Sequence, residues 1–118
     1  MGTFRHTISV GSADASKFES VDALVDTGAT YTRIPRPTLG RLAIEPGFKR
    51  RLQAADGRII ERDCAQVPVR INGESLMTIC IFGDEGTEPL LGAVTLEEFG
   101  LGVDPVNQRL VPVLSLLT

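Results

Sequence analysis

An acid at the end of an apolar run sets the strongest constraint on this chain. Residues 21–25 (Val-Asp-Ala-Leu-Val) are apolar except for Asp22, and they lead directly into Asp26-Thr27-Gly28-Ala29. The run reads as a buried strand, and the Gly marks a tight turn after it. A carboxylate held there is costly unless hydrogen bonds surround it. The backbone N–H groups of Gly28 and Ala29 and the Thr27 hydroxyl are the expected donors. The fold must then hold one rigid carboxylate at the end of an interior strand, its oxygens aimed outward. Taken alone, the tetrapeptide fits an ordinary turn after a strand equally well.

The rest of the chain reads as strands joined by turns. Phe4 to Val10 alternates and carries β-branched residues, so it predicts a strand. Gly11 to Ala15 predicts a turn, and Lys17 to Val25 runs up to the acid. Thr30 to Ile34 predicts a short strand that Pro35 ends. Pro37 suits the start of a turn or two of helix over Thr38 to Leu42. Arg51 to Ala54 and Arg58 to Cys64 predict the arms of a hairpin with Asp56-Gly57 at its turn. Val67, Val69 and Ile71 alternate up to a second turn at Asn72-Gly73, and Met77, Ile79 and Ile81 alternate on the way back. Gly83 to Glu88 is an acidic loop. Leu90-Leu91-Gly92 leads into helical character from Ala93 to Phe99, and Leu110 to Leu114 predicts a closing strand.

Composition narrows the class. A chain of 118 residues supports one core, so one domain is expected over 1–118. A net charge of −3 gives no electrostatic case for nucleic acid. Lys49-Arg50-Arg51, the only basic cluster, is expected to be a solvated patch. The apolar stretch from Leu110 to Leu117 is too short to span a membrane and contains Pro112. Met1 to Val10 holds charges and no apolar core, so no signal peptide is expected there. Cys64 and Cys80 fit reduced thiols of a cytoplasmic protein. His6 is the only histidine, which disfavours both a Cys–His nucleophile and a metal site. No metal or cofactor is expected.

Asp26-Thr27-Gly28-Ala29 together with Leu90-Leu91-Gly92, in a chain this short, resembles the retropepsin-like aspartic proteases, the single-lobe, retroviral-type family. The wider stretches Val25 to Pro35 and Leu90 to Pro105 look closer to small bacterial members than to viral ones. The resemblance covers nearly the whole chain. It implies an all-β, closed barrel-like retropepsin fold with one short C-terminal helix and one lobe per chain. It also implies a homodimeric aspartic endopeptidase, with Asp26 catalytic and Thr27, Gly28 and Ala29 forming the active-site turn. Leu90, Leu91 and Gly92 would give structural support. The hairpin residues Ala54, Ala55, Asp56, Gly57 and Arg58 would form a flap over a peptide or protein substrate, with Gly57 supplying hinge freedom. The alternative is a catalytically weak module for dimerisation or peptide binding.

Such chemistry uses two aspartates that share one proton. No other Asp of this chain is followed by Thr-Gly, so the second carboxylate is expected from Asp26 of a partner related by a two-fold axis. Phe4 to Val10 and Val111 to Leu117 are expected at the dimer interface, by likeness to the viral members, with pairing within the subunit as the alternative. Val25, Ile34, Ile59, Ile60, Leu90 and Leu91 are candidates for lining the substrate groove, with several of them needed for the core. The chain departs from the viral pattern at Thr30, Tyr31 and Thr32, where acidic residues usually follow the turn. It departs again at Ala93 and Val94, where Arg and Asn usually follow Gly92. Tyr31 is expected to pack beneath the turn, with lining a pocket as the alternative.

Overall fold

The computed structural model describes residues 4–118. The described residues form nine strands and two short helices. They run β1 (Phe4–Gly11), β2 (Phe18–Val25), β3 (Thr32–Pro35), α1 (Arg36–Arg41), β4 (Phe48–Gln53), β5 (Ile59–Ile71), β6 (Glu74–Gly83), β7 (Leu90–Leu91), α2 (Ala93–Glu98), β8 (Leu101–Asp104) and β9 (Arg109–Pro112).

Seven strands form one sheet in the order β1-β2-β7-β3-β6-β5-β4. An additional antiparallel pairing of Ser9 and Val10 with Arg70 and Val69 joins β1 to β5 and closes the sheet on itself. The alternating pattern of these strands then has an inside and an outside. Ile8, Val10, Val21, Ala23, Val25, Ile34, Val67, Val69 and Ile71 point into one core. Leu39 and Leu42 join that core from the α1 region, and Leu96 and Phe99 join it from the α2 region. The fold is all-β in character, with the helices serving as plugs.

Several element bounds differ from the sequence expectation. The two stretches expected on either side of Ala65-Gln66 form one continuous 13-residue strand, β5, with Pro68 inside it opposite Met77. The turn or two of helix expected over Thr38 to Leu42 is α1, which starts earlier, at Arg36, with Pro37 in its first turn, where a missing N–H leaves no bond unmade. The strand after the acid begins at Thr32 rather than Thr30, because the backbone of 29–30 is engaged elsewhere. Residues 101–104 form β8, which among the described residues pairs with β9 alone. The closing strand stops at Pro112; Leu114, Leu116 and Leu117 lie in water at 98%, 97% and 99% exposure.

The two hairpin turns have different geometry. Asn72 and Gly73 both take positive φ, 51° and 88°, as a two-residue turn demands. In the other hairpin only Gly57 does, at 89°. Its turn is centred on Ala55-Asp56, with Gly57 N donating to Ala54 O at 2.9 Å and Ala54 N donating to Arg58 O at 2.8 Å. Asp56 caps it by accepting from Arg58 N at 3.0 Å.

Candidate active site

Asp26 follows directly on β2, and its turn is braced from two directions. The two-residue strand β7 lies parallel to β2, with Leu24 beside Leu90 and Val25 beside Leu91. Asp26 N donates to Leu91 O at 3.0 Å. Leu91 is fully buried, which contributes about 1.5–3 kcal/mol for a side chain of this type. The acid is thus tied to the core through its own backbone.

Helix α2 supplies the second brace. The first N–H groups of a helix have no partner within it. Here Ala93 N donates to Ala29 O at 2.8 Å and Val94 N donates to Thr30 O at 2.9 Å. Gly92 stands immediately before, as N-cap, and donates its N–H to Thr32 Oγ1 at 3.1 Å. The contact is so close that a Cβ on Gly92 would sit 2.5 Å from the carbonyl carbon and oxygen of Tyr31. Its φ of −97° suits any residue, so the need for Gly here is one of space.

A buried chain of hydroxyls lies behind this contact. Thr32 Oγ1 is 2.7 Å from Thr95 Oγ1, which is 2.9 Å from Thr78 Oγ1, which is 2.6 Å from Glu98 Oε1. Distances leave the proton positions open, but the two ends settle them. A backbone N–H can only donate, and an ionised carboxylate can only accept. The chain therefore runs one way: Gly92 N–H to Thr32, Thr32 to Thr95, Thr95 to Thr78, Thr78 to Glu98. Each hydroxyl accepts once and donates once. This links β3, β6 and α2 around the point where the turn is held.

The Asp26 carboxylate is half-buried and accepts a hydrogen bond from Gly28 N at 2.9 Å. Ala29 N, expected as a second donor to the carboxylate, donates instead to the Asp26 carbonyl at 3.2 Å. The turn closes on its backbone, so the Ala29 N–H is not left for the side chain.

The turn opens into a cleft of about 520 Å³. Asp26, Gly28 and Ala29 form one side; Ala54 and Ala55 of the hairpin, with Leu52 and Gln53 before them, form another. Asp56, Gly57 and Arg58 lie at the exposed tip, away from the lining. Of the apolar candidates, Ile60 and Leu90 line the cleft. Val25, Ile34 and Leu91 are buried in the core, and Ile59 faces outward at 56% exposure. Tyr31 lines the cleft, the alternative to packing beneath the turn. The period of two explains this: Thr32 and Ile34 point inward, so Tyr31 and Arg33 point to the other face.

Arg33, Arg62 and Ile81 also line the cleft and were not anticipated. Alternation could have found Arg62, which is two residues beyond Ile60 on β5. Cys64 and Cys80 are free and buried, and burial pushes both thiols up, away from nucleophilic chemistry. Among the described residues, no group of His, Cys, Asp and Glu could hold a metal ion, and no helix is long and apolar enough to cross a membrane.

Comparisons with known proteins place this geometry. The solved structure of EIAV protease complexed with the inhibitor HBY-793 is similar in fold, with a TM-score of 0.61 over 84% of this chain and 89% of that one. Sequence identity is 18%, so this likeness concerns the fold. No curated protein matches the sequence. Residues 16–98 match the family model described as "gag-polyprotein putative aspartyl protease". That span holds Asp26, the hairpin, the Leu90-Leu91-Gly92 brace and all three threonines of the hydroxyl chain, and by it the chain belongs to this retropepsin-like aspartyl protease family.

Proposed function

We propose that this protein is a homodimeric aspartic endopeptidase whose active site is shared between two copies of the chain, 1–118 forming one catalytic lobe. The observation that carries the reading is the Asp26 carboxylate, oriented by Gly28 N and open to a cleft beneath a hairpin. Of the residues lining that cleft, Asp26 alone bears a carboxylate. The chemistry needs a second one, and a two-fold axis through the turn supplies it. Three leucines of the C-terminal tail stand in water, and burying each against a partner would contribute about 1.5–3 kcal/mol.

In this reading an extended peptide lies in the cleft with the hairpin as flap, Ala54 and Ala55 over the substrate and Gly57 at the bend. Water sits between the two Asp26 carboxylates, which share one proton. The ionised carboxylate takes a proton from water as its oxygen attacks the scissile carbonyl carbon. The protonated carboxyl gives its proton to the carbonyl oxygen. Collapse of the resulting diol breaks the C–N bond, and a proton passes to the leaving nitrogen. Thr27 and Gly28 of each copy frame this floor.

The test is cleavage of a mixed peptide library between pH 4 and 7 by the wild type and by Asp26→Asn, with sedimentation of both samples. Cleavage by a wild-type dimer and none by an equally folded, equally dimeric Asp26→Asn is expected. Removal of residues 114–118 should weaken the dimer. Turnover by Asp26→Asn, or by a strictly monomeric wild type, would overturn the proposal.

A further inference from the structure

Charge in the cleft is one-sided. Apart from Asp26, the charged side chains that line it are Arg33 and Arg62. They sit in a protein whose net charge is −3, so the cleft is a local positive site in an acidic molecule.

Neither guanidinium is firmly neutralised. Arg33 donates through Nε and Nη2 to the backbone carbonyl of Glu88, at 3.3 and 3.0 Å. The Glu88 carboxylate is engaged by Arg5. Arg33 has no ion pair among the described residues. Its stem is pinned across Gly83, where a Cβ would stand 3.0 Å from Arg33 Cγ. Arg62 has one anionic partner among the described residues, Asp84, at 3.5 Å. Asp84 is 71% exposed, and a pair this long and this wet is weak. Both arginines therefore keep donors for a carboxylate arriving in the cleft, which they can bind more strongly than a neutral group.

We propose that Arg33 and Arg62 form a carboxylate-binding subsite, and that the substrates are peptides with Glu or Asp near the scissile bond. The inference rests on the peptidase reading. Apolar lining from Leu52, Ile60, Ile81 and Leu90 holds the neighbouring residues of the substrate, and the arginine pair selects one acidic side chain among them. Both arginines act in specificity rather than in the bond-breaking step.

The experiment uses fluorogenic peptides with a central apolar pair, in which Glu, Gln or Lys replaces each flanking residue in turn. At one position the wild type should cleave the Glu peptide with kcat/KM about tenfold or more above the Gln peptide. Arg33→Gln and Arg62→Gln should each shrink that ratio, and the double variant should bring it near one. A merely structural role would depress both peptides and leave the ratio alone. Equal cleavage of Glu and Gln peptides by the wild type would overturn the subsite while the peptidase reading stands. If the wild type cleaves nothing, the peptidase reading fails, and binding of labelled Glu and Gln peptides to Asp26→Asn decides the subsite. Preference for Glu there, lost in the arginine variants, would support it; equal binding would overturn it.

Discussion

Thr95→Val isolates the hydroxyl chain behind the Asp26 turn. Val matches Thr in shape, so packing at this fully buried position is nearly unchanged. The substitution removes the hydrogen bonds at 2.7 and 2.9 Å to Thr32 and Thr78. The directions fixed above decide what is left. Thr78 keeps its donation to Glu98 and loses only an incoming proton. Thr32 still accepts from Gly92 N, but its own proton loses its acceptor in a site with no water access. Two lost bonds are each worth about 0.5–1.5 kcal/mol net, and a buried unsatisfied donor costs about 1–3 kcal/mol. A destabilisation of about 2–4 kcal/mol is expected after allowing for overlap between these contributions. Urea unfolding at pH 7 measures it, with Thr95→Ser as the control. Ser keeps both bonds and loses one methyl, for about 1 kcal/mol. Adding Thr32→Val to Thr95→Val removes the stranded donor but orphans Gly92 N, so the double variant should not recover wild-type stability. If Thr95→Val were as stable as Thr95→Ser, the one-way chain would be wrong.

Two further outcomes test the neighbourhood. Gly92→Ala would place Cβ 2.5 Å from backbone atoms of Tyr31 and 2.9 Å from Thr32 N, none of which can rotate away; a loss of about 1–3 kcal/mol or more is expected in denaturant midpoint, with activity falling alongside. The Arg36 and Lys49 side chains, hydrogen-bonded to Asp63, hold its carboxyl below the usual carboxylate range. Its contribution to stability is therefore present at neutral pH and lost as pH falls through its lowered value. Asp63→Asn should lower Tm at pH 7, and that gap should narrow towards pH 3; a gap independent of pH would refute the assignment.

The local parts of this molecule were legible because short stretches carry their own physics. An apolar run ending in Asp26-Thr27-Gly28 can do little except hold an acid at a strand end, and Asn72-Gly73 takes the two positive φ values its turn requires. Period-two alternation marked β1 and much of β5 and β6, and the apolar run marked the end of β2. The turn at Asp56-Gly57 was placed correctly but centred one residue late, because only Gly57 takes the left-handed conformation. The sequence also pointed to Leu90-Leu91-Gly92 as a partner of the acid, through resemblance rather than through pattern.

What tertiary structure alone decided is which distant residues meet. Thr32, Thr78 and Thr95 are unremarkable in sequence, and only the parallel pairing of β3 with β6 and the seating of α2 bring their hydroxyls into one line. Arg33 and Arg62 share a cleft only because β3 and β5 flank β6 in the sheet. Residue type and spacing fix the conformation of a few residues at a time. Closure of the sheet, through Val10 against Val69, sets the register of strands far apart in the chain, and with it the chemistry of the cleft.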